Sequence, residues 1–342
     1  GGGEPLVSPV WPSRERIQYL ARHFTIKPVS IMSMRYGTGI SYEHEAQTTL
    51  YAASEPAIHH ALNSLAALPM CFEQYADPSS YYIRAAAPEA QHALRHLRIK
   101  IATGIESASI YSLLCCQLFI NTELALDDFG SANQHFIRGL RIMNQGASRP
   151  YLNADSRVVA AQSIHIPHVD VFVIKLFLTP CPDGLTDSFL SPSDDRARSK
   201  RVLSTGAVAV IHANMQLAAL ARSTLDLLNN LAHLSPMSLA PRLVEGRLAI
   251  LRKLQRWREH FATLEQSTKC QLTPRARLGT SFSVFFTLVL YSIVMLSTQP
   301  PGVKLQSVES IFTELLVMAN ELTKIKHEVN QATSLPTRTE QS

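Results

Sequence analysis

Hydrophobic residues recur at helical spacing along almost the whole chain. The first clear case follows Ser13, where apolar residues stand at positions i, i+3, i+4 and i+7 up to Phe24. Another begins at Ser54 and Pro56 and is predicted to end at Pro69. The pattern predicts helices over residues 13–24, 54–69, 88–104, 107–128, 131–144, 198–234, 241–264, 282–296 and 308–329. Residues 107–128 are apolar on nearly every side, so we expect this helix to be the central one.

Residues 169–178 are harder to assign. They are rich in β-branched and aromatic side chains, which suits a strand, but they include Lys175 and have no partner strand elsewhere in the sequence. A lone strand cannot satisfy its backbone hydrogen bonds, so a buried helix is the favoured assignment. The preceding residues 146–155 are predicted to form a loop.

The predicted fold class is therefore all-α, a single large domain of about ten to twelve helices over residues 13–330. Prolines concentrated in residues 179–195 would separate two halves, 13–180 and 196–330. Residues 1–12 are predicted to be a disordered N-terminus or a cloning remnant, and residues 331–342 a disordered tail.

The segment 241–264 has heptad spacing, which is compatible with two arrangements. The seam either packs within the chain, which we favour because it is short and contains a charged residue, or joins two chains in a homodimer. Its positions are Leu243, Arg247, Ile250, Leu254, Trp257, Phe261 and Leu264. Residues 282–296 are the most hydrophobic, yet they are shorter than the roughly 20 residues of a membrane span, so a core helix is expected and no membrane association.

Composition narrows the class of protein. With 46% hydrophobic and 17% charged residues among 342, the chain suits a compact globular protein and excludes wholesale disorder. The net charge of +5 is small and dispersed, so we expect no specific DNA binding by these residues. Five widely spaced cysteines suit a reducing compartment, and the glycine-rich start does not resemble a signal peptide.

Motifs of common enzymes are missing from the sequence. It contains no GxSxG, GxxxxGK[ST] or HExxH, and no pair of carboxylates stands out for acid–base chemistry. Glu89, His92 and His96 share one helix face and could in principle converge on a metal ion. Neighbouring arginines favour a solvated polar face instead. We therefore expect no metal and no cofactor at this position.

Two further groups of histidines are also not expected to bind a metal ion. His165, His168 and Asp170 supply metal-ligand types, but Pro167 interrupts the helix that would align the imidazoles, so hydrogen-bonded histidines are expected. His59 and His60 are adjacent on a helix and point about 100° apart, so they should not act together.

Several segments resemble a known family. Residues 93–97, 112–123 and 132–143, together with 169–181, closely resemble the regulatory "fungal-specific transcription factor" region of binuclear zinc-cluster regulators. These segments comprise 42 of the 342 residues, and the helix order fits most of the rest. The resemblance implies that Glu123 ends a buried helix and that His135 and Arg138, at the start of the next helix, are cationic partners of its carboxylate. It also implies that Gly139 lets these two helices approach closely.

The resemblance implies a nuclear, effector-sensing regulatory domain that binds an apolar small molecule, mediates dimerisation, or does both. Candidate ligand-binding residues are Phe119, Met143, Phe172, Phe285 and Tyr291. The six-cysteine DNA-reading module of the family is missing from these residues, so either the chain starts after it or this member lost it. The alternative is a stand-alone, cytoplasmic protein of the same fold, used as an enzyme or carrier of a hydrophobic intermediate in fungal secondary metabolism.

Overall fold

The computed structural model describes residues 55–74, 86–103, 108–125, 128–162, 168–178, 205–235, 237–268, 274–296, 300 and 306–334. In this part the chain is helical, with two very short strands, which confirms the all-α prediction. The predicted helix 13–24 and the proline-rich segment 179–195 lie outside the described residues. The chain divides into two compact units, Gly1–Leu118 and Phe119–Ser342.

The N-terminal unit contains α1 (Pro56–Gln74), α2 (Ala87–Ala102) and the first part of α3 (Ala108–Ala125). Helix α1 continues to Gln74, so the predicted end at Pro69 is wrong; the loss of one backbone donor at proline does not stop the flanking turns. Helices α1 and α2 pack against each other, and Lys100 forms an ion pair with Glu55 at one end. The apolar face predicted for α2 is only partly buried: Ala93 is buried, whereas Ile101 is 56% exposed.

The C-terminal unit contains α4 (Phe129–Gln145), α5 (Val169–Leu178), α6 (Thr205–His233), α7 (Pro241–Thr268), α8 (Pro274–Leu296) and α9 (Gln306–Ser334). Within this unit the central helix is α8, which packs against α4, α5, α6, α7 and α9. The sequence analysis expected α3 to be the central helix instead. Both α3 and α8 are apolar on nearly every side, and this property alone does not tell which of them is surrounded by other helices.

Helix α8 begins at Pro274, earlier than predicted, so it is not too short to span a membrane as the sequence had indicated. Its stretch Arg277–Leu296 is long and apolar enough to cross a membrane by length and composition, and 72% of it is buried inside the protein. A buried core helix passes the same test. Serine and threonine hydroxyls within α8 bond to the carbonyl four residues back, as Thr287 does to Ser283 at 2.9 Å, so the burial of these polar groups costs little.

A small β-hairpin occupies the segment predicted as a loop. Strands β1 (Tyr151–Leu152) and β2 (Val158–Val159) pair antiparallel, and the Asn153 side chain accepts hydrogen bonds from the backbone N–H groups of Asp155 and Arg157 in the turn. Val158 also pairs with the segment between α6 and α7, donating to the Ser238 carbonyl at 3.0 Å. Strands of two residues are too short to leave a periodic signal, which is why the sequence did not predict them.

Residues 169–178 form helix α5, which confirms the helical assignment over the strand. A bidentate ion pair anchors it: Arg149 donates to both carboxylate oxygens of Asp170 at 2.6 Å, with both side chains buried. Asp170 also accepts from the N–H of Val171 at 2.8 Å. The loop after α4 is thereby fixed to the start of α5.

The heptad seam of α7 faces inward in this unit. Leu254 is fully buried, Phe261 is 1% exposed, and the Trp257 indole donates to the Ala213 carbonyl of α6 at 2.7 Å. These side chains are engaged within the chain, as the intramolecular alternative expects. A homodimer through α7 would therefore use its outer face, where Leu248 is 41% exposed.

Candidate ligand-binding site

A groove of about 560 Å³ lies between α7, α8 and α9. This volume is within the range of small-molecule sites. Its floor consists of buried side chains, among them Leu254, Thr287 and Leu288, and Ile311 of α9 closes one side. The floor is mostly apolar because these positions belong to the core-facing stripes of their helices. We refer to this space as the α7–α9 groove.

Polar side chains stand along the rim of the α7–α9 groove. Gln255, Arg258 and Glu259 project from α7, and Tyr291 projects from α8. Arg258 forms an ion pair with Glu314 of α9, which connects the two helices that flank the groove. Both partners are more than a third exposed, so this pair contributes little to stability. The groove thus has an apolar floor and a polar edge.

Arg247 lies on the same side of α7, two turns before Leu254. Its Nε atom is buried and has no hydrogen-bond partner in the described part of the chain, and one terminal nitrogen is 3.8 Å from the Met295 sulfur. Burial lowers the pKa of Arg247, and the hydroxyl of Tyr291 partly offsets this effect. A thioether is a weak acceptor, so the structure supplies no strong partner for this cation.

A second, much smaller cavity of about 10 Å³ lies between α3, α4, α5 and α8. It has room for about one water molecule. Its wall is apolar and largely aromatic, with Phe136, Phe177 and Phe285, except for the amide of Asn133. Asn133 is 3% exposed, and neither its Oδ1 nor its Nδ2 has a hydrogen-bond partner among the described residues.

The five residues predicted to bind a ligand do not surround one cavity. Tyr291 lines the α7–α9 groove, and Phe285 lines the small cavity near Asn133. Phe119 packs against the imidazole of His135, with ring centroids 5.0 Å apart. Met143 and Phe172 are buried core side chains. Aromatic and Met residues favour cores and pockets alike, so their type alone could not separate these positions.

The turn between α3 and α4 differs from the one that the resemblance implied. Glu123 has no ion pair in the described residues; burial raises its pKa to about 7, and Asp128 adds to the effect. Burial, together with Arg138, lowers the pKa of His135 to about 4, so His135 is neutral near pH 7. The expected carboxylate between two cationic partners is therefore not formed.

Asp128 and two glycines carry structural roles at this turn. The Asp128 side chain caps α4 by accepting from the Ser131 N–H at 2.9 Å, and Gly130 lies inside α4 rather than between the helices. A Cβ on Gly139 would lie 3.1 Å from both methyl groups of Val169. Gly139 therefore permits close approach of α5, not of α3 as the resemblance implied.

The N-terminal unit brings several histidines together. His60 Nδ1 lies 2.9 Å from Glu89 Oε2, and its ring stacks on those of His92 and His96 at centroid distances of 5.2 and 5.4 Å. In the described ranges, no group of three potential ligands is placed to hold a metal ion. The sequence did not predict that His60 of α1 would meet Glu89 of α2, because that contact depends on helix packing.

His168 lies next to the buried Arg149–Asp170 ion pair at the start of α5. The His168 side chain is half-buried, its Nδ1 atom is buried without a hydrogen-bond partner among the described residues, and the loss of solvation and the Arg149 guanidinium lower its pKa to about 3. His165 lies outside the described residues. A neutral imidazole beside an Arg–carboxylate pair is a structural arrangement.

Apart from Tyr291, sequence reasoning missed the residues that line the groove. Leu254 and Leu288 are ordinary core positions of amphipathic helices, so nothing in the sequence separates them from other buried leucines. Arg247, which lies just beyond the lining, did leave a signal, because it is the charged residue at an otherwise apolar seam position.

Comparison with known proteins adds one match. A curated protein named Transcription regulator lscL, from Purpureocillium lilacinum, is 28% identical to this chain over an alignment of 259 residues that covers 70% of this chain and 60% of lscL. No protein-family model matches the chain, and no solved structure matches it. The chain thus spans about 60% of the length of the curated relative. Across these residues, the chain is similar to a transcription regulator of a fungus.

Proposed function

We propose that this chain is the effector-sensing regulatory region of a fungal zinc-cluster transcription regulator, and that it acts in the nucleus. The observation that carries the proposal is the similarity to lscL, which covers 70% of this chain. The segments that resemble the regulatory region of zinc-cluster proteins support the same assignment. DNA recognition would come from a zinc-cluster module, which these 342 residues do not contain.

The effector is an apolar small molecule bound in the α7–α9 groove. The groove has the volume of a small-molecule site, an apolar floor and a few polar groups at its edge, which is the usual composition of such sites. It lies between helices of one unit, where occupancy can bias how α7 and α9 pack on α8. This bias gives a route from ligand binding to regulation.

A reporter assay tests the regulatory role. The full chain is fused to an unrelated bacterial DNA-binding protein, and transcription from its operator is measured in a filamentous fungus. Ala262 lines the groove and is exposed, so Ala262→Trp fills the groove without entering the core. Ala249→Trp is the matched control, on the exposed face of the same helix and away from the groove.

The expected result is an output that differs from that of the DNA-binding protein alone. Ala262→Trp should change that output, because it keeps the effector out, whereas Ala249→Trp should behave as wild type. An output equal to that of the DNA-binding protein alone, for all three chains, would contradict a regulatory role. If the two tryptophan variants changed the output equally, the effect would not come from the groove.

A further inference from the structure

The guanidinium of Arg247 is a cation without a counter-charge in the part of the chain that the structure describes. None of the ion pairs found there includes it, and its Nε atom is buried with no hydrogen-bond acceptor. A terminal nitrogen of Arg247 approaches the Met295 thioether at 3.8 Å. Arg247 is half-buried, and a partly desolvated cation is destabilising unless an anion or a hydrogen-bond acceptor compensates for the lost solvation.

Arg247 lies on α7 just beyond the residues that line the α7–α9 groove. Along α7, Leu254 in the groove floor is seven residues away, or roughly 10 Å at the rise of an α-helix. Along α8, Tyr291 lines the groove, and Met295, which contacts Arg247, is one turn further on. Since α7 and α8 pack against each other, Arg247 and Met295 lie beyond Tyr291, next to the residues that line the groove.

The Tyr291 side chain lies between the α7–α9 groove and Arg247. It belongs to the lining of the groove, and it lies close enough to Arg247 to raise the pKa of that guanidinium. A ligand that fills the groove therefore ends next to a phenol and an arginine, both of which donate hydrogen bonds to anionic oxygen. At the other end, Arg258 already has Glu314 as a partner.

From this arrangement we infer the class of the effector: an apolar molecule with a single anionic oxygen group, whose body lies in the α7–α9 groove and whose anion is bound by Arg247. The inference rests on the proposed function, because it specifies the ligand of the same groove. Apolar contact with the floor supplies most of the affinity, and the charge selects acids over neutral molecules of the same shape.

A matched pair of fluorescent probes tests the inference. 1-Anilinonaphthalene-8-sulfonate carries one anionic group, and N-phenyl-1-naphthylamine is the same ring system without it. Both are titrated into the full chain. Arg247→Met removes the charge and keeps the length of the side chain, Arg247→Lys keeps the charge, and Arg256→Met removes an exposed arginine of α7 outside the groove. Ala262→Trp blocks the groove itself.

We expect Arg247→Met to weaken binding of the sulfonate about 10- to 100-fold, as the loss of a charge-assisted hydrogen bond does. The same variant should leave the neutral probe within about 2-fold of wild type, because the apolar floor is intact. Arg247→Lys should retain most of the sulfonate affinity, and Arg256→Met all of it. Ala262→Trp should weaken both probes.

Other outcomes overturn the inference, and they separate it from the proposed function. If Ala262→Trp weakens both probes but Arg247→Met affects them equally or not at all, the groove binds ligands and Arg247 does not select anions. If Ala262→Trp leaves both probes unaffected, the probes bind elsewhere, and the groove as an effector site fails together with the inference. A loss of sulfonate binding in Arg256→Met would show a nonspecific charge effect and also count against it.

Discussion

Glu123 gives the sharpest test of the electrostatics. If the carboxylate is buried without a partner, neutralising it stabilises the protein near pH 8; if it has an ion pair, neutralising it destabilises the protein. Its pKa in the folded protein is raised to about 7, from 4.5 in the absence of burial, and the main cause is the loss of solvation. The folded state therefore holds a proton that the unfolded state releases. Stability from this group is complete below pH 4.5, falls as the pH rises towards 7, and stays lost above it.

The magnitude follows from the shift. A difference of 2.5 pKa units, from 4.5 to about 7, corresponds to roughly 3 kcal/mol. Glu123 is only half-buried, so solvent screening reduces this to about 1 to 2 kcal/mol. The neutral variant Glu123→Gln avoids the penalty. We expect it to be more stable than wild type by about 1 to 2 kcal/mol near pH 8, and equal to wild type near pH 4.5.

Urea unfolding followed by circular dichroism measures this difference across the pH range. The control is Glu321→Gln, which changes an exposed glutamate of α9 and should follow wild type at every pH. If Glu123→Gln is less stable than wild type near pH 8, the carboxylate has a cationic partner. In that case the ion pair implied by the family resemblance is present and the burial argument is refuted.

Three further substitutions test the packing of the C-terminal unit by thermal or urea unfolding. Asp170→Asn should cost about 3 to 5 kcal/mol, because it leaves the buried Arg149 guanidinium without its counter-charge; a loss below about 1 kcal/mol would show that the pair is solvated. Asn133→Leu should stabilise the protein by about 1 to 3 kcal/mol by removing two unsatisfied polar atoms, and a destabilised variant would show that a water molecule or a neighbour satisfies them. Gly139→Ala should destabilise by about 1 to 3 kcal/mol through its clash with Val169, while Gly246→Ala, which meets no atom within 4 Å, should be neutral or stabilising by up to about 1 kcal/mol; equal effects would refute the close approach.

Periodicity in the sequence predicted the helices well, because each helix must bury one apolar face. The starts of α2 and α7 at Pro88 and Pro241 are cases where proline in the first turn fixes the boundary. The helical assignment of α5 also followed from a physical argument, the absence of a partner strand. Helix ends were less predictable: α9 extends to Ser334, past the predicted start of the tail.

The candidate site could be predicted only in outline. The α7–α9 groove depends on how three helices pack, and residues such as Leu288 and Ile311 carry no mark of that packing in the sequence. Arg247 is the exception, since a charge in an apolar seam can be recognised without a structure. For Glu123, the pairing implied by the resemblance is not formed among the described residues, and burial removes the charge of one expected partner, His135, near pH 7.

The central claim is that the α7–α9 groove binds an effector, and the small molecules retained by the purified chain test it most directly. Wild type, Ala262→Trp and Ala249→Trp are expressed in a filamentous fungus, and the molecules that each protein carries are compared by mass spectrometry. The account predicts an apolar molecule with one acidic group that copurifies, chemically unchanged, with wild type and Ala249→Trp and is missing from Ala262→Trp. The same set of molecules on all three proteins, or a compound that wild type converts into a product, would contradict it.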